Sequence, residues 1–191
     1  PKSFYALILL PITFFVFIFL FIKKIINKAE KFNIPVICVG NIYLGGTGKT
    51  PLSLLIAEEL KALGKKPVIV KKFYKEHKDE HLLIKKRGVP LILEKDRTDS
   101  LKLAEKEFDL AILDDGFQDY KIIKDLNVLC FHSKQLIGNG YILPSGPLRE
   151  PLSAIKKVQI VVINGEKNLI FEDKLKKINS KISIFYSKYK L

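Results

Sequence analysis

Short apolar runs alternate with stretches of helical periodicity from residue 34 onward. The strand-like runs are IPVICVG, KPVIV, VPLIL, DLAILDD, LNVLCFH and VQIVVIN. The helical stretches are KTPLSLLIAEELKAL and DRTDSLKLAEKEF, and a weaker helix and strand follow the last of these runs. Uninterrupted apolar strands separated by helices are typical of a parallel sheet that is covered on both faces. The pattern therefore predicts a doubly wound, mostly parallel α/β domain.

The N-terminal part of the chain has a different pattern. From Phe4 to Ile22 it runs for nineteen residues without a charged side chain. A helix of this length reaches roughly 28 Å at about 1.5 Å per residue, which is close to the hydrocarbon thickness of a bilayer. Pro11 would kink such a helix, and membrane helices tolerate proline. We therefore expect a transmembrane or membrane-anchoring helix, with a cleaved signal peptide or a buried core helix as the alternatives.

Basic residues follow this apolar run. They are Lys23, Lys24, Lys28 and Lys31, whereas only Lys2 precedes the run. Because basic residues stay on the cytoplasmic side of a membrane, the rest of the chain is expected on the cytoplasmic face. We expect residues 1–31 to form the anchor helix and a basic linker, and residues 32–191 to form the α/β domain.

Composition narrows the classes of partner. The 191 residues carry a formal net charge of +13, almost all of it from lysine. Lysine-rich surfaces suit anionic membranes, phosphorylated ligands or nucleic acid. The lysines are scattered and no aromatic-rich RNA motif is present, so nucleic-acid binding is not expected. Cys38 and Cys130 lie in apolar runs without CxxC spacing, which favours buried reduced thiols over a disulfide or metal site.

A glycine-rich loop, NIYLGGTGKT, lies between the first strand and the first helix of this domain. In this setting, backbone N–H groups and a helix N-terminus point toward a polyphosphate, Lys49 reaches its terminal phosphates, and Thr50 ligates Mg²⁺. Tyr43 stands where the Walker A pattern has its first glycine, so the strict match fails at one position. We expect nucleotide binding rather than a purely structural turn. The residues expected to bind are Gly45, Gly46, Thr47, Gly48, Lys49 and Thr50.

Two acidic residues end a later strand. Asp114 and Asp115 close the run FDLAILDD, at the carboxyl end of a strand, where a P-loop fold holds the acidic group that positions Mg²⁺. Adjacent carboxylates are costly there unless a cation or hydrogen-bond donors compensate them. The alternative is a solvated pair in a turn, since Gly116 follows. With the lysine loop, the pair predicts a Mg²⁺-nucleotide site.

Further polar candidates are expected in loops at the same edge of the sheet. A phosphoryl-transfer enzyme needs a base for the acceptor hydroxyl and cations that balance charge on the transferred group. Asp79, in YKEHKDEHLL, is a candidate for the base. Arg97, in EKDR, and Arg149, in LPSGPLREPL, are candidates for the cations. Each could also be an ordinary solvated side chain.

Several motifs in series carry a resemblance to a known family. VGNIYLGGTGKTP, DE followed by LL, EKDR, LDDGFQ and LPSGPLREPL occur in this order between residues 34 and 164. Together they resemble tetraacyldisaccharide 4'-kinase, a kinase of lipid A biosynthesis. The resemblance implies Mg²⁺-dependent transfer of the γ-phosphate of ATP to the 4'-hydroxyl of a tetraacyl glucosamine disaccharide 1-phosphate at the bacterial inner membrane. A substrate that stays in the bilayer would explain a phosphate loop close to an apolar segment.

The resemblance also implies roles for individual residues. Asp79 would be the catalytic carboxylate, and Arg97 and Arg149 match arginine positions of the family. Asp114, Asp115 and Gln118 would line the Mg²⁺ and phosphate site. Lys49, within the ATP-binding loop, would also serve the transfer step.

The sequence departs from the family pattern in three places. KKFY, residues 71–74, replaces a Ser-Arg-Gly-Tyr stretch, and Asp119 replaces a histidine after DDGFQ. The family continues into a second small α/β lobe, with a histidine thought to pair with the catalytic aspartate, and we expect this lobe to be absent from residues 32–191. A membrane-anchored P-loop ATPase or GTPase, acting as a switch or targeting factor, is the alternative function. The sequence indicates no oligomeric state.

Overall fold

The computed structural model describes residues 4–73 and 78–188, and of Lys78 and Glu80 it describes only the backbone. The helices are α1 (Phe4–Ile8), α2 (Leu10–Ile26), α3 (Lys49–Ala62), α4 (Lys78–Lys86), α5 (Arg97–Ala104) and α6 (Leu169–Ile178). The strands are β1 (Val36–Gly40), β2 (Pro67–Lys72), β3 (Leu91–Glu94), β4 (Leu110–Asp114), β5 (Leu126–His132), β6 (Ile160–Asn164) and β7 (Ser183–Ser187).

The chain divides into two units. The four-strand unit comprises Ala29–Gly40 and Gly48–Asn127, and the three-strand unit comprises the residues up to Lys28, Asn41–Thr47 and the residues from Val128 onward. In the four-strand unit all strands are parallel, in the order β3-β2-β4-β1. In the three-strand unit β5 pairs with β6 and β6 with β7, again in parallel. The predicted parallel α/β architecture is therefore confirmed within each unit.

The core of the four-strand unit comes from the apolar runs that predicted its strands. Every residue of β4 is buried, and so are the first five of β2. Helix α3 packs on β1, β2 and β4, and α5 packs on β2, β3 and β4. A parallel strand enclosed in this way needs apolar side chains on both of its faces, which explains the continuous hydrophobic pattern. Cys38, on β1, is a buried free thiol, and burial raises its pKa to about 12.

The three-strand unit has its core around β5 and α6. Phe131 is fully buried on β5 and contacts Phe171 of α6 edge to face, with ring centroids 5.1 Å apart. Asn168 caps α6 by accepting a hydrogen bond from the backbone N–H of Phe171 at 2.9 Å. Cys130, also on β5, is buried and is not part of a disulfide. The prediction of buried reduced cysteines is thus confirmed at both positions.

The apolar N-terminal segment differs from its prediction. It forms two helices, α1 and α2, that meet at Leu9, instead of one helix from Phe4 to Ile22. Pro11, at the start of α2, has no N–H to continue the hydrogen bonding of α1, so the helix is interrupted there. Among the described residues, no helix has both the length and the apolar character that crossing a membrane requires. The structure therefore does not support the predicted transmembrane helix.

Helix α4 was not predicted, because the stretch YKEHKDEHLL, residues 74–83, was expected to lie in a loop. The helix buries His81 and Ile84, which are three residues apart and so lie on one face. Basic residues, Lys85 and Lys86, occupy its last turn, where they interact favourably with the helix dipole. Gly88 follows with a φ of 65°, the left-handed conformation that commonly ends a helix. Asp79 consequently lies in the first turn of a helix rather than in a loop.

Candidate active site

The phosphate loop, residues Gly45–Thr50, ends in the first turn of α3. Gly48 precedes this helix with a φ of 88°, a conformation that glycine adopts without the strain of a side chain. The first intrahelical hydrogen bond joins the N–H of Leu52 to the carbonyl of Gly48. The N–H groups of Lys49 and Thr50 precede it and, as at any helix start, have no acceptor within the helix. This end of α3 has the polarity that binds an anion.

Asp114, at the end of β4, is the centre of a buried polar cluster in the four-strand unit. Its side chain is 0% exposed. Thr50 Oγ1 donates to Asp114 Oδ2 at 2.8 Å, and Ser53 Oγ lies 3.4 Å from Oδ1. Lys71 Nζ donates to Oδ2 at 2.6 Å and lies 3.3 Å from Thr50 Oγ1. Asp114 therefore receives both the hydrogen bonds and the positive charge that a buried carboxylate needs.

Asp115 occupies a tight turn directly after β4. Its φ is 57°, a conformation that aspartate tolerates better than most residues, and its N–H donates to the carbonyl of Val39 at 2.9 Å. Its carboxylate is about one-third exposed, and Oδ1 lies 3.9 Å from Lys49 Nζ. The two adjacent aspartates thus each lie beside a lysine, Lys71 for Asp114 and Lys49 for Asp115.

Arg97 hydrogen-bonds to the backbone of this turn. Its guanidinium is buried, and Nη2 donates to the backbone carbonyls of Asp114 at 3.1 Å and Asp115 at 3.0 Å. The position of Arg97 is set by Asp96, which caps α5 by accepting a hydrogen bond from the N–H of Thr98. That hydrogen bond, together with Lys121, holds the pKa of Asp96 well below its usual range. Arg97 therefore orients the backbone of the aspartate pair.

Hydrogen bonds within the three-strand unit hold the residues that lead into the phosphate loop. Asn41 Nδ2 donates to the carbonyls of Tyr43 at 2.6 Å and Gly45 at 3.1 Å, and Asn41 Oδ1 accepts from Arg149 Nη1 at 3.0 Å. The N–H of Leu44 donates to the carbonyl of Pro147 at 2.8 Å. The motif LPSGPLREPL therefore supports the segment that begins the loop, through both its backbone and the side chain of Arg149.

The residues predicted from sequence fall into two groups. Lys49, Thr50, Asp114 and Asp115 lie together in the four-strand unit, with Arg97 beside them. Gly45, Gly46, Thr47 and Arg149 belong to the three-strand unit. Asp79 is exposed in the first turn of α4, and Gln118 is half-buried after β4. Tyr74, the last residue of the KKFY stretch, lies outside the described residues.

Three polar residues of these clusters were not predicted as site residues. Lys71 and Ser53 contact Asp114, and Asn41 supports the phosphate loop. Asn41 directly follows β1, and a polar residue immediately before a glycine-rich loop is a signal that could have been used. Lys71 follows the apolar residues of β2 near the carboxyl end of that strand, which is also the end at which β4 carries Asp114. Its position therefore gave a comparable signal.

Comparison with known proteins identifies the family. The model of the family described as Tetraacyldisaccharide-1-P 4'-kinase matches residues 5–190. The chain belongs to this family. The Tetraacyldisaccharide 4'-kinase of Pelagibacter ubique is 44% identical over 192 residues, which cover 98% of this chain and 60% of that protein. The protein of the same name from Psychromonas ingrahamii is 37% identical over 158 residues, covering 72% of this chain and 49% of that protein.

A solved structure has the same fold as this chain. LpxK from Aquifex aeolicus, whose crystal structure was solved in complex with ATP, superposes with a TM-score of 0.72. The alignment covers 97% of this chain and 82% of that chain at 24% identity. At this identity the likeness shows the fold, which is of the P-loop type. The chain spans about half to three-fifths of the length of these curated relatives of the family.

Proposed function

We propose that this chain carries the nucleotide-binding and catalytic residues of a kinase that transfers phosphate from ATP to the 4'-hydroxyl of a tetraacyl glucosamine disaccharide 1-phosphate in lipid A biosynthesis. The observation that carries the proposal is the contact of Thr50 with Asp114 at the start of α3, beside Lys49. In a chain of this family, such an arrangement provides an anion-binding helix end, a lysine and acidic oxygens within one unit.

Thr47 adds support for a ligand in the loop. Its Oγ1 is buried and has no hydrogen-bond partner within residues 4–73 and 78–188. A buried hydroxyl without a partner is destabilising, so it is expected to hydrogen-bond a bound group. A phosphate oxygen of ATP at the phosphate loop would be such a partner.

The donor set of the cluster fits Mg²⁺. Thr50, Asp114 and Asp115 offer hydroxyl and carboxylate oxygens, the ligand type that this ion prefers. In the described part of the chain, no group of three or more His, Cys, Asp or Glu side chains could hold a metal ion. Mg²⁺ in nucleotide sites usually takes one or two protein ligands together with water and substrate phosphates. When bound, Mg²⁺ neutralises charge on the transferred phosphate.

Other residues of this chain supply the remaining parts of the reaction. Lys49 and the N–H groups at the start of α3 bind the terminal phosphates of ATP. Asp79 accepts the proton that the 4'-hydroxyl loses as its oxygen bonds to the γ-phosphorus, while the bond from that phosphorus to the β-phosphate oxygen breaks and ADP leaves. Arg97 positions the turn that carries Asp114 and Asp115, and Arg149 positions the beginning of the phosphate loop. Both arginines add positive charge that favours phosphate binding.

The test is transfer of labelled γ-phosphate from ATP to a tetraacyl disaccharide 1-phosphate in detergent micelles. We expect a labelled lipid product with this chain, with the Pelagibacter ubique kinase as positive control. A 4'-O-methyl acceptor should give no product, since it has no hydroxyl to phosphorylate. Slow ATP or GTP hydrolysis that is independent of acceptor, with no labelled lipid, would contradict the kinase proposal and support a nucleotide-dependent switch.

We also propose that the α1–α2 segment contacts the cytoplasmic surface of the bacterial inner membrane, where the lipid acceptor lies. The most exposed phenylalanines of α2 are Phe14 at 61%, Phe15 at 69% and Phe19 at 64%. Lys23 and Lys24 occupy the last turn of this helix. Exposed aromatic side chains beside lysines are suited to insertion among anionic headgroups.

Flotation with phosphatidylglycerol-containing vesicles tests this location. Each phenylalanine transferred from water to lipid contributes about 1.5–3 kcal/mol, so changing all three to serine should lower vesicle binding by at least tenfold. The matched control changes Leu169 and Ile170, which are 62% and 84% exposed on α6, to serine. Equal binding of the phenylalanine variant and the unmodified chain would contradict membrane contact through α2.

A further inference from the structure

A lysine lies in the interior of the four-strand unit, beside the residues proposed to bind Mg²⁺. Lys71 is 6% exposed and its Nζ is 2.6 Å from Asp114 Oδ2. The same Nζ is 3.3 Å from Thr50 Oγ1. Lysine is rarely buried unless it is paired, because its charge loses hydration. Lys71 and Asp114 therefore neutralise each other inside the protein.

The backbone fixes this pairing. Strands β2 and β4 are parallel neighbours, and Val70 lies opposite Leu113 in their register. The next residues along the two strands are Lys71 and Asp114, so they lie side by side at the carboxyl ends of the strands. Successive side chains of a strand point to opposite faces, so Lys72 is directed away from Asp114 and is only half-buried. The lysine at position 71 is thus placed by strand register and not by a flexible loop.

The ammonium group contacts the same oxygens that the proposed function assigns to Mg²⁺. A magnesium ion requires oxygen ligands at about 2.0–2.1 Å, or water molecules that bridge to them. The Asp114 Oδ2 atom already accepts hydrogen bonds from both Lys71 and Thr50. A divalent ion arriving here would approach a positive charge that cannot move into water without leaving its carboxylate partner. Metal binding at Asp114 and the Lys71 contact therefore oppose each other.

We propose that Lys71 is a positioning residue that acts as a resident counter-cation. It holds Asp114 and Thr50 in place before a metal-nucleotide complex binds, and it competes with the divalent ion for Asp114. The competition raises the metal concentration that the site requires. This inference rests on the proposed function for the presence of a divalent ion, but it does not depend on the identity of the phosphate acceptor.

The first test measures metal binding directly. Lys71→Met removes the charge while keeping a long side chain, and Mn²⁺ in the presence of ADP serves as a paramagnetic probe for electron paramagnetic resonance. We expect the dissociation constant of Mn²⁺ to fall by at least tenfold in Lys71→Met. Lys72→Met, the adjacent change on the other face of β2, should leave it unchanged. Unchanged or weaker Mn²⁺ binding in folded Lys71→Met would overturn the proposal.

A second test measures thermal unfolding in the absence of metal, which reports on the ion pair between Lys71 and Asp114 alone. Lys71→Met should lower the melting temperature, because it leaves Asp114 buried without its cation. Adding Asp114→Asn should recover a large part of the loss, so that the two changes are strongly non-additive. This double variant also serves if Lys71→Met does not fold. Additive losses in the double variant would overturn the role of Lys71 as counter-cation.

These readouts separate the inference from the kinase proposal. Mn²⁺ binding and melting temperatures require no lipid acceptor. If the unmodified chain fails to label the lipid while Lys71→Met binds Mn²⁺ more tightly, the kinase proposal fails and the inference stands. If lipid labelling succeeds while Mn²⁺ binding is unchanged in Lys71→Met, the inference alone fails.

Discussion

Replacing Lys49 with alanine is expected to abolish ATP binding and phosphate transfer. Lys49 begins α3, its side chain is 15% exposed, and its Nζ lies 3.9 Å from Asp115 Oδ1. Its ammonium group lies where the helix N-terminus already favours an anion, so its charge adds to that of the helix dipole. Without it, Asp115 has lost a neighbouring cation and repels the phosphates. We expect ATP affinity, measured by calorimetry, and lipid labelling to fall by more than about a hundredfold.

A lysine at the other end of the same helix provides the control. Lys61 is exposed in the last turn of α3, so Lys61→Ala changes the net charge equally without touching the phosphate loop. It should leave affinity and transfer within about twofold of the unmodified chain, since an exposed lysine contributes little. If Lys49→Ala labelled the lipid as well as Lys61→Ala does, the phosphate loop would not be the site of ATP binding.

The strands of the four-strand unit were predictable because each of them is enclosed. β1, β2 and β4 are continuous apolar runs, which few other structures require. Helix α4 was not predictable in the same way. Of its described side chains, only those of His81 and Ile84 are buried, and charged residues surround them in sequence, so its helical period is weak. Its first turn nevertheless determines the location of Asp79.

The candidate site was predictable as a set of motifs, but not as a set of contacts. Lys49, Thr50, Asp114 and Asp115 could be named because a phosphate loop and a strand-terminal acidic pair are recognisable in sequence. Lys71 could not be assigned to Asp114, because their contact depends on β2 and β4 being neighbours in a particular register. The role of Arg97 was also hidden, since its acceptors are backbone carbonyls, which every residue has.

The N-terminal helices α1 and α2 also show what the sequence could not predict. An apolar run of nineteen residues satisfies the length criterion for a membrane helix, and proline is common in such helices. Here Thr13, near the start of α2, is buried and its Oγ1 lies 2.6 Å from Ser145 Oγ. Hydropathy alone carries no information about this contact between residues 132 positions apart. Besides the interruption at Pro11, this segment therefore has a buried polar contact that its composition does not predict.

Changing Asp79 to asparagine is expected to preserve ATP affinity and to lower phosphate transfer by on the order of a hundredfold or more. The carboxylate is exposed in the first turn of α4, where solvent and an acceptor can reach it. A general base raises the rate of transfer by about 10²- to 10⁴-fold. Asparagine is similar in size to aspartate but cannot accept a proton near neutral pH. Lys49, Thr50 and Asp114 are unchanged, so calorimetry should give an ATP dissociation constant close to that of the unmodified chain.

Asp99→Asn is the matched control, because Asp99 is an exposed aspartate in the first turn of another helix, α5. Both changes remove a negative charge from a helix N-terminus, which costs about 0.3–1 kcal/mol of stability. They should therefore lower the melting temperature similarly, and only Asp79→Asn should slow transfer. Single-turnover labelling of the lipid separates the chemical step from product release. Equal single-turnover rates in the two variants would show that Asp79 is a solvated surface residue and that another group accepts the proton of the 4'-hydroxyl.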